Sequence, residues 1–134
     1  MKKIIIFVFA IAFCFSLMAQ NAKTATIAAV ATYKLNAKQE LRMEKIQENK
    51  TLNLSQIEKY KTTNPVLYLQ KRQAISEGTN ASVSRLLNKE QMLVFKERKA
   101  KIRLARANKS EELRNAKISD IEKELALLEL EDQF

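Results

Sequence analysis

Two apolar stripes at helical spacing run through the second half of the chain. Met92, Phe95, Ile102 and Ala105 form the first, interrupted at Lys99, and Ile118, Ile121, Leu125 and Leu128 form the second in steps of three, four and three. Such steps place side chains on one face of an α-helix. The stripes do not share a register, Asn108 and Ser110 lie between them, and neither Gly nor Pro occurs from Lys89 to Phe134. Ser110 can cap a new helix whose first turn holds Glu111 and Glu112, carboxylates that complement the N-terminal dipole. The pattern predicts two helices with a break at Asn108–Ser110. The alternative is one helix of about 40 residues, ~60 Å long at 1.5 Å per residue.

The polar residues that punctuate these stripes read as helix starts. In Leu87-Asn88-Lys89-Glu90-Gln91, Asn88 can cap the first turn. Gln91 can reach back to the Asn88 N–H, and Leu87 can meet Met92 as a hydrophobic staple. Leu54-Ser55-Gln56-Ile57-Glu58 repeats the arrangement, and Leu35-Asn36-Ala37-Lys38-Gln39 is a looser third copy. A first helix is expected from about Ala37 to Lys50 and a second from Ser55, carrying Ile57 and Tyr60. Pro65 must stop or bend it, because proline lacks an N–H and clashes with the preceding turn. Asn64 can cap the next segment with Pro65 at its first position, and this segment should run to Gly78, the sole glycine, with Thr79–Ser84 as a loop. The expected fold is all-α: a thin antiparallel hairpin or cradle of about four helices, with a dimer as one arrangement of it.

The N-terminal part reads differently. Lys2 and Lys3 precede an apolar run from Ile4 to Met18, with Ala19 before Gln20; this is the pattern of a secretory signal peptide cleaved after Ala19. The run is shorter than the ~20 residues of a spanning helix. The domain plan is a signal peptide at 1–19, a flexible arm at 20–35, rich in Ala and Thr, and a single helical domain at 36–134. The expected location is periplasmic or secreted. Cleavage would remove Cys14, the only cysteine, so helix packing or association must hold the domain without disulfides.

Composition excludes more chemistry than it offers. Histidine and tryptophan are absent, no glycine loop is available to cradle phosphate, and the acids lack metal-ligand spacing. Glu111 with Glu112, or Glu122 with Glu124, diverge on a helix and read as solvated positions. Catalysis, a metal and a cofactor are therefore not expected.

The formal net charge is +9, and it is unevenly placed. Eight cations fall between Arg85 and Arg106 against Glu90 and Glu97, whereas acids dominate from Ser110 onward. Antiparallel pairing of the basic and acidic helices, within a chain or between chains, would juxtapose opposite charges and select register. The candidate binding surface is Val94, Phe95, Lys96, Arg98, Lys99, Lys101, Ile102, Arg103 and Arg106, cations beside apolar groups. Such a surface attracts acidic, partly unfolded chains and then holds them by weak apolar contacts.

The paired helix starts, in a small basic chain with an export signal, resemble the LTxxQ motif of the Spy and CpxP periplasmic proteins. Leu54, Ser55 and Glu58 match the first copy, and Leu87, Asn88 and Gln91 the second. Neither copy keeps the threonine, and Glu58 stands where the family has glutamine. The resemblance covers roughly Leu41 to Arg106. It implies a thin helical cradle, usually an antiparallel dimer with a basic face, acting as a chaperone or envelope-stress accessory without ATP on unfolded or partner proteins. Two alternatives stay open: a peripheral protein whose basic helix lies on an anionic membrane surface, and a purely structural helical interaction module. A nucleic-acid partner is not expected, since the signal peptide argues against it and no aromatic stacking array is present.

Overall fold

The computed structural model describes the backbone from Lys2 and the side chains from Met18 to Phe134. The predicted leader therefore lies largely outside the residues whose side chains are described. Six helices occur among the described residues: α1 (Lys2–Tyr33), α2 (Ala37–Ile57), α3 (Tyr60–Thr63), α4 (Pro65–Leu86), α5 (Lys89–Leu113) and α6 (Asp120–Glu131). The fold is all-α. Helices α1, α2 and α4 lie side by side, each packed on the next, while α5 leaves the α4 joint to run against α1 and α6; α6 also packs on α4.

The segment expected to be a flexible arm is instead the second half of α1. Ala22, Thr26, Ala29 and Tyr33 are buried at steps of four, three and four, so one narrow face of small residues lets α2 approach closely. Thr26 fits this face because its hydroxyl donates to the Ala22 carbonyl at 2.9 Å, leaving no buried polar group unpaired. The more obviously apolar Ile27 points outward, 60 % exposed. Among the residues whose side chains are described, packing thus extends back to Ala22 rather than stopping at Asn36. The turn after α1 places Lys34 in the left-handed region at φ 52°. The Leu35 N–H then reaches the Val30 carbonyl at 3.2 Å, a Schellman closure that ends the helix without glycine.

At the next joint the looser third copy proves to be a full capping box. The Asn36 side chain accepts from the Gln39 N–H, and Gln39 accepts from the Asn36 N–H. Leu54-Ser55-Glu58, by contrast, starts no helix: α2 continues through it to Ile57, and the Ser55 hydroxyl donates to the Leu52 carbonyl at 2.7 Å. Burial of Ile57 favours extending the helix over starting a new one, so tertiary packing overrides the local cap signal. Asn64 and Pro65 behave as expected, Asn64 accepting from the Leu67 N–H at 3.1 Å with proline at the first helical position.

Gly78 does not end a helix. It sits inside α4, which runs on through the expected loop to Leu86, and its φ is not positive. Val83 and Leu86 belong to the core at the far end of that extension, which rewards a continuous helix. A Cβ at Gly78 would meet nothing within 4 Å. Gly78→Ala is therefore expected to stabilise the fold by about 0.5–1 kcal/mol through helix propensity alone, read as a rise in the midpoint of urea unfolding.

The principal core lies beside the α1–α2 and α4–α5 joints. Ala29, Tyr33, Leu35, Met43 and Val83 are its buried members, with Phe95, Leu86 and Leu87 packed against them. Met43 is completely buried. The break between α5 and α6 falls over residues 114–119, later than the expected Asn108–Ser110, and Ser119 rather than Ser110 supplies the cap. Nothing in α5 forbids helix at Asn108, and Lys109 pairs with Glu112 at 2.8 Å to support its last turn.

Candidate functional site: the amide clasp and the two faces of α5

The joints before α2 and α5 are fastened to each other. Asn88 and Gln91 form a capping box, with the Gln91 N–H donating to Asn88 Oδ1 at 2.9 Å and the Asn88 N–H to Gln91 Oε1 at 3.0 Å. Asn36 and Gln39 repeat it at 3.0 and 3.1 Å. The two glutamines then meet head to head: Gln39 Nε2 donates to Gln91 Oε1 at 2.7 Å, and Gln91 Nε2 donates to Gln39 Oε1 at 3.0 Å. Each amide also donates to the carbonyl preceding the other motif's leucine, Gln39 to Leu86 at 3.0 Å and Gln91 to Lys34 at 3.3 Å. Both amides therefore use two donors and two acceptor positions, the full arrangement a buried carboxamide needs. Gln91, 8 % exposed, can be buried on these terms.

The clasp fixes where α5 starts and which of its faces turns inward. Phe95 meets Tyr33 at a ring-centroid distance of 6.4 Å, and Arg98 Nη1 donates to the Tyr33 hydroxyl at 2.9 Å. Arg98 Nε is buried without a partner. Together with Ile102, these side chains border a cavity of about 340 Å³ between α1, α2, α4 and α5, to which Met43, Val83 and Phe134 also contribute.

The candidate surface is thus divided rather than gathered. Phe95, Arg98 and Ile102 turn toward the cavity and are only partly exposed. Lys99 is half-buried on the cavity wall, and Arg106 is turned toward α6, where it pairs with Glu124 at 3.2 Å and with Glu131. Val94, Lys96, Lys101 and Arg103 are exposed. With them, on the outward side of α5, stand Leu93 and Leu104, 62 % and 65 % exposed. These two leucines are eleven positions apart, three helical turns, and so share one face at ~100° per residue. Reading the outward face of α5 at that spacing would have found Leu93; the inward stripe of Met92, Phe95 and Ile102 drew the reading to the other side.

Helix α6 begins with a third capping box. The Ser119 N–H donates to Glu122 Oε2 at 2.7 Å, and the Glu122 N–H donates to Ser119 Oγ at 3.2 Å. Hydrogen bonds from the Ser119 backbone and then its side chain hold the Glu122 carboxyl below its ordinary value. A depressed carboxyl contributes to folding above its unfolded pKa and loses that contribution as pH falls through the folded value. The Ser119 amide resonance is therefore expected to shift when the solution is acidified through and below the ordinary carboxylate range, and Glu122→Gln should flatten that titration. An unchanged titration in the variant would dissociate the shift from Glu122.

Among the described residues no group of acidic, cysteine or histidine side chains could hold a metal ion, and no helix is long and apolar enough to cross a membrane. Compared with protein-family models, curated proteins and solved structures, the chain matches none.

Proposed function

We propose that this protein is an exported, ATP-independent chaperone-like or envelope-stress accessory protein that binds unfolded or partner chains through the outward face of α5. One observation carries the reading: Leu93 and Leu104 stand exposed in line, flanked by Lys96, Lys101 and Arg103. A folded helix normally turns its leucines inward, and exposing two of them on one face leaves apolar surface for another molecule. The surrounding cations raise the local concentration of acidic chains before apolar contact is made.

The resemblance to the Spy and CpxP proteins points the same way, with one change of register. The pair of joints that engage one another is Leu35-Asn36-Gln39 with Leu87-Asn88-Gln91, and Leu54-Ser55-Glu58 is not part of it. The full chain, in equimolar amount and without nucleotide, should suppress aggregation of an acidic client protein during its thermal unfolding. Light scattering that rises as fast with the protein as without it would remove the reading. Salt-sensitive sedimentation with anionic vesicles, accompanied by no client protection, would replace it with binding at a membrane surface.

A further inference from the structure

All ion pairs between different helices among the described residues end on the acidic last segment. Lys50 of α2 reaches Asp132 at 3.1 Å, Arg72 of α4 reaches Asp132, and Arg106 of α5 reaches Glu124 and Glu131. The remaining pairs join residues three apart in sequence. Three helices thus each contribute a partly shielded cation to the bed in which α6 lies, Lys50 and Arg72 lining a groove at its end and Arg106 gripping it from α5. The apolar wall of the groove includes Leu54 and Ile75, and Leu128 lies against them. Leu127 and Leu128 are buried, and the end of α6 closes the cavity between the other helices.

We propose that this groove is a docking site for an acidic, leucine-bearing helical segment of another polypeptide, and that α6 is a displaceable internal occupant competing for it. The argument is one of charge and of unequal fastening. If α6 leaves, Lys50, Arg72 and Arg106 remain around an apolar wall on helices held independently by the Gln39–Gln91 clasp. If a partner arrives, it must repeat what α6 supplies: carboxylates spaced to reach three cations, and leucines between them.

Apart from the burial of Leu127 and Leu128, each part of the fastening of α6 is weak. Helix α6 has 12 residues, about the length at which a helix alone in water is marginal. Its ion pairs are partly solvent-exposed and screened by salt. Its covalent attachment to the other helices is a stretch of six residues, 114–119. Local opening of such a unit lies at the low end of the stability range within a fold. The groove lies on the inner side of α5, opposite Leu93 and Leu104, so it is separate from the surface assigned to unfolded chains.

The test uses the full chain and a fluorescent peptide of residues 119–134 as the probe. In low salt the peptide should bind the E124Q/E131Q/D132N variant at least tenfold more tightly than the wild type, whose own α6 competes. Binding should vanish at about 1 M salt, where the screening length is about 3 Å. Equal affinity for the two chains, or no binding to a variant that keeps amide-exchange protection at Met43 and Gln91, overturns the proposal. Should the variant unfold, the wild type decides: α6 amides must lose protection with rising salt while those of Met43 and Gln91 keep it, and joint loss overturns the proposal. Client protection measured on the same samples is a separate readout. Its failure with peptide binding intact removes the chaperone-like reading and leaves the groove.

Discussion

Gln91→Glu is expected to lower the stability of the fold by about 2–3 kcal/mol, although the replacement has the same shape and the same number of heavy atoms. The carboxylate keeps the acceptor that Asn88 and Gln39 use but has no N–H for Gln39 Oε1 or the Lys34 carbonyl. Two acceptors lose their donor, and a third oxygen is turned toward them in a site where Gln91 is 8 % exposed. Unsatisfied buried groups cost roughly 1–3 kcal/mol each, with partial relief from relaxation. Gln39 cannot repair the loss by rotating its amide, because its Oε1 also receives the Asn36 N–H. Gln39→Glu should behave alike, and the double variant should be worse than additive, since two carboxylates would then face each other. Urea unfolding measures all three. A loss below about 0.5 kcal/mol for either single change would mean that the clasp contributes nothing net.

The clasp also shows where the fold could be read from the chain and where it could not. Leu87-Asn88-Gln91 and Leu35-Asn36-Gln39 advertise helix starts because capping is a local matter, settled by residues within one turn. Nothing local says that the two glutamines, 52 positions apart, spend their remaining hydrogen bonds on each other. Leu54-Ser55-Glu58 carries almost the same signal and is overridden, because Ile57 gains more from a helix that continues into the packed face than Ser55 gains from starting one. Gly78 and Ser110 fail as boundaries for a related reason: each marks a position where a helix can end at little cost, and packing on either side makes continuation better. The inward face of α1 was illegible because it is built from Ala22, Thr26 and Ala29, whose small side chains give a weak apolar signal while permitting the close approach that buries them.

The candidate surface on α5 was legible in its charges and not in its direction. Cations crowd α5 on nearly every side, so composition alone cannot say which of them face water; that depends on Gln91, Phe95 and Ile102 choosing the interior. Arg98 is the instructive failure. It belongs to the basic run by sequence, yet it lies against Tyr33 with its Nε buried, supporting the position of α5 rather than greeting a partner. The opposite charges of α5 and α6 do pair within the chain, through Arg106. This pairing occupies one end of the basic helix and leaves Lys96, Lys101 and Arg103 outside it.

Those three residues carry the second large effect. The variant K96E/K101E/R103E is expected to slow capture of an acidic unfolding client by about 10–100-fold in low salt, within the range that electrostatic steering supplies. Stability should change little, by about 0.5 kcal/mol or less, because all three are exposed and none takes part in an ion pair among the described residues. Raising the salt should bring the wild type down toward the variant, since charges separated by more than ~10 Å at 0.1 M ionic strength no longer feel one another. Leu93→Ser with Leu104→Ser should do the reverse: capture remains fast while the complex dissociates sooner, because the apolar contacts that hold the client have been removed and the steering field has not. Stopped-flow capture of a labelled client separates the two phases. If reversal of the three charges leaves the association rate unchanged at low salt, the outward face of α5 does not recruit acidic chains, and the exposed leucines beside it have to be explained by a different partner.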